Sequence, residues 1–139
     1  ASLDAASAIS VKNVEIKIEK NIESDDVLGS QEPNDYLNKQ FAVTGKIEII
    51  YDAVTYKTLA LAGTQKAIRI NIQDTTTTIG AASNPTLKID LAKVKLTEWA
   101  KSSDLNDIVK ETLTFKALYS SSDTQMIGIV LTNTVAGYN

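Results

Sequence analysis

Apolar residues recur at every second position in six separate segments of this chain, and that period limits the fold more than any other feature. Side chains two apart share one face of a strand, so each segment predicts a half-buried strand. In Val11 to Lys20, Val14, Ile16 and Ile18 fall on one face, with Lys12, Asn13, Glu15, Lys17 and Glu19 mostly on the other. In Phe41 to Tyr51, Phe41, Val43, Ile47, Ile49 and Tyr51 share a face. Gly45 falls on that face too, which signals a bulge or the close approach of another backbone. Lys66 to Asp74 places Ile68, Ile70 and Ile72 inward and Arg69 outward, where it is expected to pair across the sheet.

The remaining segments carry two irregularities. Thr86 to Leu96 alternates through Leu87, Ile89 and Leu91, then changes phase to Val94 and Leu96, as a bulge between Ala92 and Lys93 would produce. Thr97 to Leu105 reads as a connector, with one helical turn around Trp99. Val109, Leu113, Phe115, Ala117 and Tyr119 form the next face, and Ile127, Ile129 and Leu131 the last. With "SSSDT" between them, these two segments predict an antiparallel hairpin.

Helical spacing occurs once. Asp52 is a candidate N-cap, Val54, Thr58 and Leu61 follow at helical intervals, and Gly63 is a natural stop. The expected fold is all-β: an antiparallel β-sandwich or partly closed barrel with one short flanking helix and a long loop. With 139 residues, residues 11–139 are expected to form a single domain. Residues 1–10, rich in small side chains and opening on Ala1, read as a flexible linker from a processed or excised piece, without the basic start and apolar run of a signal peptide.

The long loop, Ser24 to Gln40, has no period of its own. Loops beyond about 12 to 15 residues are usually binding loops, lids or linkers. Its candidate anchors are Val27, Leu28, Tyr36 and Leu37.

Chemistry finds little purchase. The chain has no histidine and no cysteine, which removes the Ser-His triad, the usual zinc ligands and any disulfide framework. No Gly-rich phosphate cradle is present. Asp25 with Asp26, or Asp104 with Asp107, are the carboxylate pairs to consider for calcium or acid–base work, but adjacent acids in loops are ordinarily solvated. Trp99 with Tyr36, Tyr51, Tyr56, Tyr119 and Tyr138 could form a sugar-stacking platform, against which stands the placing of Tyr51 and Tyr119 on core faces. A net charge of −3 argues against holding nucleic acid by counterion release. No catalytic residue, cofactor, metal or membrane contact is expected.

The stretch "VLGSQEPNDYLNKQFAVTGKIEIIYD" resembles the tail tube proteins of long-tailed phages: a long loop with Gly-Ser and a Pro, then Phe-x-Val-x-Gly running into a Tyr-Asp helix start. "LKIDLAKVKLTEW" is similar to that family's strand and bulge before its connector, and "VKETLTFKALYSSSDTQMIGIVLTN" to its closing hairpin. The resemblance spans Val11 to Tyr138. It implies a structural virion protein, six copies to a ring, rings stacked into a tube that conducts DNA as passing cargo, and a place in the virion tail after assembly in the host cytoplasm. It also implies that Ser24 to Gln40 is an arm packing on a neighbouring subunit. A β-sandwich carbohydrate-binding module or adhesin is the alternative.

Overall fold

A computed structural model of the chain describes residues 3, 6, 8–103 and 105–135. Eight strands and one helix follow in the order β1 (Val11–Glu19), β2 (Ile22–Asp25), β3 (Asp35–Asn38), β4 (Ala42–Ile50), α1 (Thr55–Ala62), β5 (Gln65–Gln73), β6 (Thr86–Ser102), β7 (Lys110–Ala117) and β8 (Ile127–Thr132). Six of the strands make one antiparallel sheet ordered β1-β4-β7-β6-β5, with β8 also on β6, and β2 and β3 pair only with each other. The large sheet curls into a half-barrel, so the partly closed barrel is the form the expected all-β fold takes.

Alternation is cleanest on β7, where Glu111, Leu113, Phe115 and Ala117 are buried and the residues between them are not. These meet Val43, Ile47 and Ile49 of β4 and Leu91 and Val94 of β6 in the core. Gly45 settles the two readings of its position in favour of close approach: a Cβ there would collide with the Glu15 carbonyl oxygen and the Phe115 ring. Removing the side chain on β4 lets the largest core residue lie against the strand.

The phase change in β6 is the bulge expected at Ala92 and Lys93. Lys66 of β5 pairs with Val94 and Ile68 with Leu91, so β6 spends one extra residue there and keeps both Leu91 and Val94 inward. Trp99 does not lie in a connector. Strand β6 runs through it to Ser102, because a second register shift between Leu96 and Glu98 turns Trp99 back to the inner face opposite Leu113.

The predicted hairpin of the last two strands is not formed. Lys110 to Ala117 pairs with the second half of β6, and Ile127 to Thr132 pairs with its first half, both antiparallel to it. Strands β7 and β8 are thus successive parts of one line along β6, interrupted by residues 118–126. Leu118 N donates to Lys93 O at 2.7 Å and Ala92 N donates to Met126 O at 3.4 Å, so the chain leaves and returns at adjacent residues of β6. The excursion is closed by a bridge between Ser120 and Gln125 and by the Ser120 hydroxyl, which donates to Asp123 Oδ2 at 2.6 Å. Ser, Ser, Asp and Thr supply these local bonds, which is why the segment looked like a hairpin turn. Tyr119, in this excursion, is exposed rather than in the core.

Helix α1 ends as expected on Gly63 in the left-handed conformation, with Gly63 N–H on Ala60 O and Thr64 N–H on Leu59 O. Its start differs. Val54 is the N-cap, since its carbonyl accepts from Thr58 N at 2.9 Å and from the Thr58 hydroxyl at 3.0 Å, and Asp52 lies too far upstream to cap. The helix face turned to the sheet is Tyr56, Leu59 and Ala60, not Val54, Thr58 and Leu61.

Candidate assembly interface

The segment between β1 and β4 is a built arm, not a structureless loop. At its root Asn21 takes a left-handed conformation (φ 48°), which asparagine tolerates better than most residues. Its carbonyl accepts from Lys39 N at 2.8 Å and its side-chain amide donates to Gln40 O at 2.8 Å, pinching the two strands together. Lys39 adds an ion pair to Glu23. Beyond the root, Ile22, Glu23, Ser24 and Asp25 pair with Asn38, Leu37, Tyr36 and Asp35 in a two-stranded ribbon. Gly29, at φ 94°, allows the turn at the tip, where the Ser30 hydroxyl bonds both the amide and the carbonyl of Glu32.

The candidate anchors Val27, Leu28, Tyr36 and Leu37 all lie on this arm and all are exposed, Tyr36 at 63% and Leu28 fully. Ile22, missed from sequence because it precedes the loop, joins them. An isolated two-stranded ribbon is at best marginally stable in water, so apolar groups held out on one call for a partner surface.

The ribbon is also the acidic part of the molecule. Residues 22–38 contain Glu23, Asp25, Asp26, Glu32 and Asp35 and no Lys or Arg. Outside it, 14 basic residues stand against 12 acidic ones, so the rest of the chain is formally +2 although the whole is −3. Asp25 and Asp35 sit directly opposite across the ribbon, a like-charge pair that destabilises it in isolation.

The structure gives the other singled-out residues plainer roles. Although Asp35 lies across the ribbon from Asp25, among the described residues no group of three or more His, Cys, Asp or Glu is placed to hold a metal. Asp104 and Tyr138 lie outside the described residues. Asp107 accepts from its neighbour Ile108 N at 2.7 Å and lies 3.9 Å from Lys110 Nζ. Arg69 pairs across the sheet as expected, with two bonds to Asp90 of 2.6 and 2.8 Å. Trp99 packs on the core, donates to Glu111 and lies under Lys57, whereas Tyr36 is on the ribbon and Tyr56 against the core. Tyr51 is half-buried beneath Lys101 Nζ, 4.0 Å from its ring centre. Among the described residues no helix is long and apolar enough to cross a membrane.

Comparison with known proteins agrees with an assembly role. The family model described as phage tail tube protein matches residues 1–117, which takes in the arm, the helix and the sheet through β7. No curated protein matches.

Proposed function

We propose, since the chain belongs to the phage tail tube protein family, that it is a subunit of six-membered rings that stack into the tube through which DNA leaves the virion. The family is structural, and it implies assembly into multimeric tubes within the virion tail. The observation that carries the finer reading is the ribbon between β1 and β4: an ordered, acidic arm that holds five apolar side chains exposed.

In this reading residues 11–139 form the working domain, assembled in the host cytoplasm without cofactor, metal or catalytic step. The free edges of the half-barrel, β1 on one side and β5 on the other, are pairing templates that ring formation would satisfy. An arm on one flank and a receiving surface elsewhere make a head-to-tail contact, which closes into a ring when the rotation permits. DNA is a passing cargo.

Negative-stain imaging of the concentrated protein tests the proposal. Rings or tubes with six-fold end views are expected. A protein that stays monomeric at every concentration, or rings of another order, would overturn it.

A further inference from the structure

Strand β8 is an edge strand without the usual protection. It pairs with β6 alone, and among the described residues no other strand lies along it. Edge strands ordinarily carry charges, a Pro or a bulge that discourages further pairing. Strand β8 has none of these: residues 124–135 contain no charged residue and no Pro, and its register with β6 runs unbroken from Thr132 opposite Thr86 to Ile127 opposite Leu91. Ile129 is 55% exposed, Val130 55% and Leu131 54%. The sheet's other edges are charged, β1 with Lys12, Glu15, Lys17 and Glu19, β5 with Lys66 and Arg69.

In an antiparallel ladder bonded and non-bonded residue pairs alternate, so one bond fixes the direction of all the others. Asp74 N donates to Pro85 O at 3.0 Å, and Ala92 N donates to Met126 O at 3.4 Å. Continued along the registers, these bonds turn the backbone groups of Leu87, Ile89 and Leu91 toward β5, and those of Thr86, Lys88 and Asp90 toward Thr132, Val130 and Gly128 of β8. The N–H and C=O groups of Ile127, Ile129 and Leu131 therefore point out of the free edge. Their side chains share the sheet face of Ile68, Ile70 and Ile72.

We infer that β8 pairs antiparallel with β8 of a second copy of this chain, about a two-fold axis beside Ile129. In that register Ile129 lies opposite its own counterpart and Ile127 lies opposite Leu131. Each of these pairs exchanges both backbone bonds, so the groups left open on the edge are met. Gly128 falls opposite Val130, a bare position beside a branched one. The apolar rows then run on across the junction: Ile70, Ile89 and Ile129 continue into the same three residues in reverse order, and Ile72, Leu87 and Leu131 into Ile127, Leu91 and Ile68. No charged residue lies on either joining strand. Antiparallel pairing with β5 of another copy is the poorer match, because the open backbone groups there belong to Arg69, Asn71 and Gln73 and would join an apolar face to a polar one. The two-fold pair goes beyond the ring reading and does not rest on it. Copies in a ring share one direction along its axis, whereas copies in this pair oppose each other, so pairing through β8 holds chains out of rings.

The chain lacks cysteine, so a single introduced thiol reports the register. Ile129→Cys and Thr132→Cys are checked by thermal melt, oxidised at matched concentration and run on a denaturing gel. The pairing sets the two Cα atoms of residue 129 about 5.5 Å apart, inside the disulfide range of about 4.4–6.8 Å. The two Cα atoms of residue 132 lie about 20 Å apart at about 3.4 Å per residue. Ile129→Cys is expected to form a covalent dimer roughly tenfold faster than Thr132→Cys, as the disulfide distance limits require. Equal rates, or a dimer of Ile129→Cys confined to tubes, would overturn the pairing. Ile129→Lys alone and Ile129→Glu alone should sediment as monomers, since like charges directly opposite each other are destabilising, and their mixture should recover the dimer of the parent. A parent that is monomeric at every concentration, or a mixture that gains no dimer while both variants are folded, would also overturn it.

Discussion

The indole Nε1 of Trp99 donates to Glu111 Oε2 at 2.7 Å across the β6–β7 pair, one diagonal step from the Trp99 and Leu113 register. Glu111 is fully buried and its Oε1 has no hydrogen-bond partner among the described residues. The indole is thus the one recorded bond of a core carboxyl group. Trp99→Phe should destabilise the fold by about 1–3 kcal/mol, the usual cost of leaving a buried polar group unpaired. Adding Glu111→Leu should recover most of that loss, because exchanging both partners for apolar groups is often nearly neutral. Thermal melts of the single and double variants decide it; a double variant no better than Trp99→Phe would contradict the account.

Gly45→Ala should cost about 1–3 kcal/mol, the range for overpacking a filled core. The clash involves the Glu15 carbonyl as well as the Phe115 ring, so Phe115→Leu in the same chain should offset only part of it. Denaturant midpoints would show whether the two changes couple.

Replacing Ile22–Asn38 by a short Gly-Ser link should leave the melt close to the parent's, since loop closure changes by only about 0.6 kcal/mol per twofold change in length. Assembly should be lost, because buried aromatic and aliphatic anchors dominate interface energy. Normal tubes from the shortened chain would show that the arm is not the assembly element. Failure to fold would show that it belongs to the core.

The 74–85 loop should resist acid. The Asp74 carboxylate accepts first from the Thr76 hydroxyl at 2.6 Å and also from the Thr76 and Thr77 amides, and these bonds hold its carboxyl well below the usual range. A depressed value means that the loop's stabilisation is complete above the ordinary aspartate pKa of about 3.9 and is lost only as pH falls through the lower folded value. A carboxyl resonance of Asp74 that titrates near 3.9 in the folded protein would refute this.

Duplex DNA should not bind the parent chain, even at about 50 mM salt, where electrostatic attachment is strong. A gel shift reports this directly. The armless chain, freed of five acids and formally basic, should show weak, salt-sensitive retention in the same assay. Equal behaviour of the two would mean that the arm's charge does not govern polyanion contact.

Period two was enough to find six of the eight strands and the bulge at Ala92 and Lys93, because one buried face imposes alternation. It did not reveal which strands meet. The segments around "SSSDT" have hairpin spacing, yet both were claimed by a β6 long enough to pair with them in turn, and strand length is hidden where a second register shift at Thr97 breaks the pattern. Glu111 was invisible because an acid on a core face contradicts the alternation that locates the face. The arm's acidity could have been read directly from residues 22–38, but averaging over the chain concealed it. Ile72, Ile129 and Leu131 have the pattern of core residues, yet they lie on β5 and β8 beyond the last pairing of β4 with β7 and stay exposed.

The excursion between β7 and β8 suits the molecule to carrying foreign sequence. Its ends are held at Ala92 and Lys93, neighbours on one strand, so the distance between them does not depend on what lies in between. A peptide inserted near Ser122 would leave the ladders on both sides in register, again at a closure cost of about 0.6 kcal/mol per doubling of the loop. In a tube, each inserted epitope would recur once per subunit, turning the particle into a display lattice whose spacing is set by the protein itself.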